Sequence, residues 1–425
     1  MFQGLSTDQA PPISVPFRFF LTAPIFGIII SIIFFIYSID ELVNKHSHIT
    51  IGMIHLFTLG ILTMIIFGAL QQMLPVLAGV VFKKPLLFAN IIHISLSIGT
   101  LALSGGFIFS SKILFIISSL FLAMSFGTFF FTLIKLLFSV KFLTSTVKAM
   151  KIFAISGLIV ALLGLYLIGQ HISLNINSYH YIFVNIHILF AVFGFAIILV
   201  VGIAFQVIPM FYVSKDFPKF IQNKLPNIIF GMLFLTSLFL VLQFDIYIFK
   251  VILSLLCIVF AYYGIDSLNN RKRPVFDVTL WYWKLSLYCL ILVMILSVLP
   301  QTQENYPLLA IVFIFGFLYP LLQGMVYKII PFLSWFHLSS RGYFTIPNLR
   351  EYIKEDLIKL QFHIYISSFV FFILSIIFNQ LFLYIASVLF LVSNLMFLLN
   401  QITAIRKYNN IAKLSPMEAF EMSTK

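Results

Sequence analysis

Two histidines, His55 and His187, stand about one turn inside long apolar stretches. An imidazole there can ligate haem iron, copper or zinc, and ionisable groups within membrane stretches are functional candidates by default. Each precedes the same pattern. Gly60, Gly68, Gln72 and Pro75 follow His55, and Gly194, Gly202, Gln206 and Pro209 follow His187. Gly316, Gly324, Lys328 and Pro331 repeat the spacing a third time with no histidine before them. On a helix these steps share one face. Glycine there allows close approach, and proline frees a carbonyl that a polar side chain on the same stripe, Gln72 or Gln206, could cover. The bland reading of these glycines and prolines is packing and kinking. Lys328 lies near the inner boundary of its stretch, where it either snorkels or faces a cavity.

The other histidines are asymmetrically placed. His46, His48, His171 and His180 fall in the same outer regions as His55 and His187, whereas His93, His337 and His363 fall toward the other side. The four outer loop histidines read first as solvated side chains. His46 and His48, two residues apart, are a candidate copper or zinc pair.

Such residues need elements to hold them. The chain is 61% hydrophobic and 9% charged, with 52 phenylalanines among 425 residues. Apolar runs long enough to cross a bilayer occur at about 19–39, 51–78, 86–108, 112–138, 150–170, 181–211, 226–244, 246–266, 279–300, 307–333, 362–378 and 380–402. The expected fold is therefore an all-α integral membrane protein with 12 transmembrane helices. Three copies divide these into three pseudo-symmetric four-helix arcs, 19–138, 150–266 and 279–402, within a single polytopic domain spanning 1–425. The repeated pattern falls on the second helix of each unit. Residues 1–17 are polar, with no signal-peptide pattern. Residues 347–360 read as an amphipathic surface helix, and the tail beyond 403 as polar and frayed.

The formal net charge is +13. It gathers in the even-numbered connections and the termini, for example Lys83, Lys84, Lys215, Lys219, Arg271, Lys272, Arg273, Arg341 and Arg350. The odd-numbered connections hold only Lys45, Lys112 and Lys250. This bias predicts cytoplasmic N- and C-termini and contact with membrane lipids rather than nucleic acid. Cys257 and Cys289 lie in apolar runs and imply no disulfide framework. No nucleotide loop, nucleophile triad or carboxylate pair is visible.

The string from His55 to Gly60, followed by Phe67, Gly68, Ala69, Leu70, Gln71, Gln72, Met73, Leu74 and Pro75, resembles the second-helix signature of the haem–copper oxidase subunit I superfamily. It is also similar to the NnrS-type haem and copper membrane proteins linked to nitric oxide stress. By position His55 resembles the low-spin haem ligand and His187 the copper ligand. The resemblance implies haem, of b type, and copper as cofactors. It also implies respiratory-chain or haem- and copper-handling partners, and a bacterial inner membrane. Helix 10 departs from the oxidase pattern, with no histidine in its outer half, and Leu309 and Ile311 stand at the positions that match His187 and His55. Residues 226–250 hold no histidine, and Ala191 stands four after His187 where a tyrosine is usual. A binuclear oxygen-reducing centre and proton pumping are thus not expected.

His55 is five residues before its glycine and His187 seven, an offset of about 200° on a helix. If helices 2, 6 and 10 ring a central axis, this offset turns the imidazoles toward helix 10 or toward each other. Helix 10 has no ligand to offer, so a shared site between helices 2 and 6 is expected. Three functions follow: a haem protein of nitric oxide response, redox sensing or electron transfer; a copper- or haem-handling factor for oxidase assembly; or a cofactor-free scaffold subunit. Met53, Met64, Met73 and Met210 on the same helices suit the second reading or ordinary packing.

Overall fold

The computed structural model describes residues 11–300 and 305–423, apart from the side chains of residues 76, 77 and 420–423. The expectation of a polar leading segment at 1–17 falls, for residues 1–10, outside the described residues. Twelve helices are long and apolar enough to cross a membrane. They are α1 (Ser14–Ile36), α2 (His48–Pro75), α3 (Pro85–Ile108), α4 (Lys112–Phe138), α5 (Ser145–Ser173) and α6 (His180–Tyr212). The remainder are α7 (Lys219–Val241), α8 (Tyr247–Asn269), α9 (Thr279–Val298), α10 (Tyr306–Ser340), α11 (Glu355–Ile377) and α12 (Gln380–Ala412). Among the described residues the only β pairing is an isolated bridge between Ser214 and Arg271. Apolar side chains on every face suit helices in lipid, where backbone polar groups must be satisfied within the segment.

Several helices outrun their apolar cores. Helix α7 starts at Lys219, α11 at Glu355, and α12 reaches Ala412. Hydropathy marks the part that fits the hydrocarbon, whereas backbone hydrogen bonding continues into the polar layer. A separate surface helix at 347–360 does not form. Residues 347–354 are not helical, with a turn at 349–351, and Glu355 and Asp356 open α11, where acidic groups suit the helix N-terminus. Nor is the tail frayed. A short helix, Pro416–Ser423, follows α12, Tyr343 Oη donates to the Leu414 carbonyl at 2.6 Å, and Thr345 Oγ1 donates to that of Ala419 at 3.3 Å.

The three helices that carry the repeated pattern are the most buried. Within their most apolar windows 72% of α2, 61% of α6 and 67% of α10 is buried, against 28–50% for the other nine. Each packs along the spanning helix that precedes it: α2 on α1, α6 on α5, α10 on α9. The glycines are the contact points. A Cβ added at Gly60 or Gly68 would meet Phe26 or Phe19 of α1 at 2.4 and 2.6 Å. At Gly194 or Gly202 it would meet Ser156 or Ala149 of α5 at 2.8 and 2.4 Å. At Gly316 or Gly324 it would meet Cys289 or Tyr282 of α9 at 2.9 and 2.7 Å. Both glycines of each copy thus use partners that are themselves one common interval apart, running in the opposite direction. The repeated residues are small because another helix passes over them.

A second repeated feature has no signature in composition. Leu56–Thr63 in α2, Phe190–Ile197 in α6 and Val312–Leu318 in α10 are π-helical. Gly60, Gly194 and Gly316 are each the fifth residue of their segment. Wide π turns are rare and frequently mark functional sites. They also redirect backbone carbonyls: Thr63 Oγ1 donates to the Thr58 carbonyl at 2.7 Å, and Tyr365 Oη donates to that of Phe315.

Candidate functional site

His55 ends the α-helical first turns of α2, one residue before its π segment. His187 lies three residues before the π segment of α6. The two-residue offset between them therefore falls in α-helical backbone, and the rotation of about 200° survives the π turns. His55 packs against Phe107 of α3 and His187 beside Gly164 of α5, so the two rings rest on different neighbouring helices. On its other side α2 faces α10 across a small cavity of about 90 Å³ lined by Met53, Phe57, Ile311 and Phe315, among other mainly apolar groups, and His55 is not part of that lining.

The surroundings set which ring nitrogens are free. His55 Nδ1 lies 2.8 Å from the Ile51 carbonyl, one turn back. A carbonyl only accepts, so Nδ1 carries the proton and the neutral ring keeps its lone pair on Nε2. That arrangement is the usual preparation of a metal-ligating histidine. The ring stacks on Phe107 of α3, with centroids 5.6 Å apart and planes 15° apart. His187 packs edge-on to α5 beside Gly164, where an added Cβ would lie 3.2 Å from its Cε1. The Val160 carbonyl, one turn away on α5, is a polar neighbour of the ring. His187 Nδ1 is buried and makes no well-formed hydrogen bond, although the Val160 carbonyl is close enough to interact with the ring. A buried ring nitrogen left so costs free energy unless a ligand or proton satisfies it. Nε2 of His55 and Nδ1 of His187 are ring nitrogens not committed to a well-formed hydrogen bond, and imidazole nitrogen is a donor type that iron and copper accept.

The remaining candidates are spread over the molecule. His46 and His48 are exposed at the start of α2. His48 Nδ1 lies 3.2 Å from Ser110 Oγ, and the His46 ring meets Tyr181 at 6.5 Å. Gln72 is fully buried at the other end of α2. Its Nε2 lies 3.4 Å from His337 Nε2 of α10, so it does not cover the carbonyl freed by Pro75, and its Oε1 has no partner. Gln206 is half-buried and, with Pro209, lines a polar cavity of about 650 Å³ beside Ser145, Lys215 and Lys272. Lys328 forms an ion pair with Asp277, which precedes α9, and sits 5.2 Å over the Tyr212 ring of α6. Asp277 Oδ1 also accepts from Thr279 Oγ1 at 2.7 Å, and Tyr212 Oη meets Thr279 Oγ1 at 2.8 Å. Lys328 therefore ties α10 to the C-terminal end of α6 and the segment that opens α9.

Sequence reasoning missed three groups. The third copy lacks histidine but is not chemically empty. Tyr282 donates to Gln361 Oε1, Gln361 Nε2 donates to Ser393 Oγ at 2.8 Å, and Asn400 Nδ2 donates to Tyr327 Oη at 3.0 Å. Gln323 nearby is fully buried, and neither of its side-chain polar atoms has a partner. Tyrosines and amides recurring along α9 to α12 were the available signal. Phe107 was also missed, since nothing marks one phenylalanine among many. Finally, His171 and His180, expected to be solvated, are half-buried and face each other with centroids 6.0 Å apart. Among the described residues, no group of three His, Cys, Asp or Glu side chains is placed to hold a metal ion. Comparison with protein-family models and with curated proteins finds no match to this chain.

Proposed function

We propose that this is a haem-binding membrane protein on a scaffold like that of haem–copper oxidase subunit I, in which His55 and His187 hold the metal and no oxygen-reducing binuclear centre exists. One observation carries the reading: a buried His187 Nδ1 without a well-formed hydrogen bond, on a helix that repeats the pattern of α2, where the His55 ring has its Nδ1 already committed to a carbonyl. The proposed architecture is three pseudo-symmetric four-helix arcs with both termini cytoplasmic. The matching glycine contacts and the three π segments support the arcs, and the positive-inside charge bias supports the orientation.

Haem iron supplies one-electron chemistry or gas binding at such a site. The protein's part is to orient two neutral imidazoles and exclude water. Ile51 fixes the His55 tautomer, Phe107 holds that ring flat, and the bare Gly164 lets His187 lie close to α5. Two histidine donors to haem would suit electron transfer, whereas one would suit binding of nitric oxide or a similar gas, consistent with a role in redox or nitric oxide response.

A second reading, handling of copper or haem for respiratory assembly, is favoured by the clustering of outer histidines around Phe107. Purified protein distinguishes the two. A Soret band that disappears in His55→Ala and His187→Ala supports the haem site. Stoichiometric copper without a Soret band supports the second reading, and an unchanged band in both variants removes the ligand assignment.

A further inference from the structure

Above the His55 and His187 pair lies another group of imidazoles that neither ligand role explains. His171 ends α5 and His180 begins α6, and the loop between them folds their rings together, 6.0 Å between centroids at an interplanar angle of 80°. His171 stacks on Phe115 of α4 at 5.3 Å, which holds its plane. His180 Nδ1 lies 2.5 Å from Gln170 Oε1. An amide oxygen only accepts, so Nδ1–H is committed and the lone pair is left on Nε2. This is the supporting contact seen behind metal-bound histidines. Gln170 is itself buried, at 6% exposure, and belongs to the same helix as His171. Its conformation is thus fixed by packing.

We infer that His171 and His180 form a separate two-imidazole site for cuprous ion at the outer end of α5 and α6, backed by Gln170. The spacing suits a shared ion. With metal–nitrogen bonds of about 2.0 Å, two ring centroids lie about 5.2 Å apart at a tetrahedral angle and about 6.4 Å apart when collinear. The observed 6.0 Å is on the open side of that range, toward the near-linear two-ligand geometry that a d¹⁰ cuprous ion accepts. Zinc requires three or four ligands, and the further imidazole His48 shares with His171 only the Phe107 ring that both meet. His48 is exposed and tethered near Ser110, whose backbone is held at a φ of 50°.

The position suggests what the ion does next. The Phe107 ring touches His48 at 6.3 Å and His171 at 5.3 Å on one side and stacks on His55 at 5.6 Å. A single aromatic ring therefore lies between His171 and His55. The outer site is placed to receive copper from the exposed His46 and His48 and to hold it one residue short of His55. The inference does not depend on haem at His55 and His187.

The test uses the full chain in detergent, with Cu(I) in competition against a coloured cuprous chelator under reductant. Wild-type protein is expected to bind one equivalent of Cu(I) that His171→Ala and His180→Ala lose, while any Soret band is unchanged. Gln170→Ala is expected to weaken that binding by about 10–100-fold without abolishing it. Melting temperature, read alongside, identifies variants that have simply unfolded. His171→Asn, which keeps size and polarity, serves as the conservative variant if alanine is not tolerated. Retention of the copper equivalent in a folded His171→Asn and His180→Asn double variant refutes the site. Zn²⁺ bound in preference to Cu(I) refutes the assignment to cuprous ion. Loss of the Soret band in His55→Ala with the copper equivalent intact sustains it, because the two sites then fail separately.

Discussion

If the repeated glycines exist because one helix crosses another, the smallest side chain should be costly there and harmless elsewhere. Gly202→Ala is the sharpest case. The new Cβ would sit 2.4 Å from the Ala149 Cβ of α5. Neither atom can rotate away, since both are fixed to backbone. Ordinary contact begins about 1 Å further out, so α5 and α6 must part or slide by about that much, at a cost of ~1–3 kcal/mol for overpacking. Gly231→Ala in α7 has nothing within 4 Å of its new Cβ. It should be neutral or gain up to ~1 kcal/mol of helix propensity. The double variant Gly202→Ala with Ala149→Gly moves the methyl group across the interface and should recover most of the loss. The coupling expected from a cycle of the four proteins is about 1 kcal/mol or more. The assay is thermal unfolding in detergent followed by size-exclusion profile. Equal melting of Gly202→Ala and Gly231→Ala, or no recovery with Ala149→Gly, would refute the close-approach reasoning.

Other expectations rest on different contacts. Gly164→Val should crowd His187, since even a Cβ there lies 3.2 Å from its Cε1, and should alter or remove metal absorption. Gly169→Val on the same helix, with open space at its Cβ, should leave the spectrum as it was. Asp277→Ala should destabilise more than Lys328→Ala, as each is measured by thermal melting. Removing the carboxylate strands an ammonium group within α10, whereas removing the ammonium leaves a carboxylate still bonded by Thr279. With side chains 23% and 16% exposed, the larger effect should be about 1–3 kcal/mol, between surface and fully buried pairs. Cys257 and Cys289, 0% and 7% exposed, should resist a water-soluble maleimide until the protein is denatured, and fast labelling of the native protein would contradict their packing.

What could be read in advance depended on local chemistry. Twelve spans were legible because hydrocarbon admits only self-satisfied helices. Gly60, Gly194 and Gly316 were legible as equivalent positions because a missing Cβ leaves a mark in sequence. His55 and His187 were legible because an imidazole in an apolar run is conspicuous. The π segments were not, since the same residues form α or π backbone according to what packs against them. Gln72 was assigned to a nearby carbonyl and instead reaches His337, 265 residues away in the chain. His171 and His180 looked like loop residues because nothing local says that their side chains turn inward.

The sequence by itself determined a helical membrane protein, with three repeated close-approach stripes and histidines concentrated toward one end, because burial in lipid constrains composition residue by residue. Tertiary structure decided what surrounds the imidazoles. Gln170 commits Nδ1 of His180, Gly164 leaves room for His187, and Phe107 lies between His171 and His55. Those outcomes depend on ångström-scale contacts between separate helices, and a pattern of residue types along one chain does not encode them.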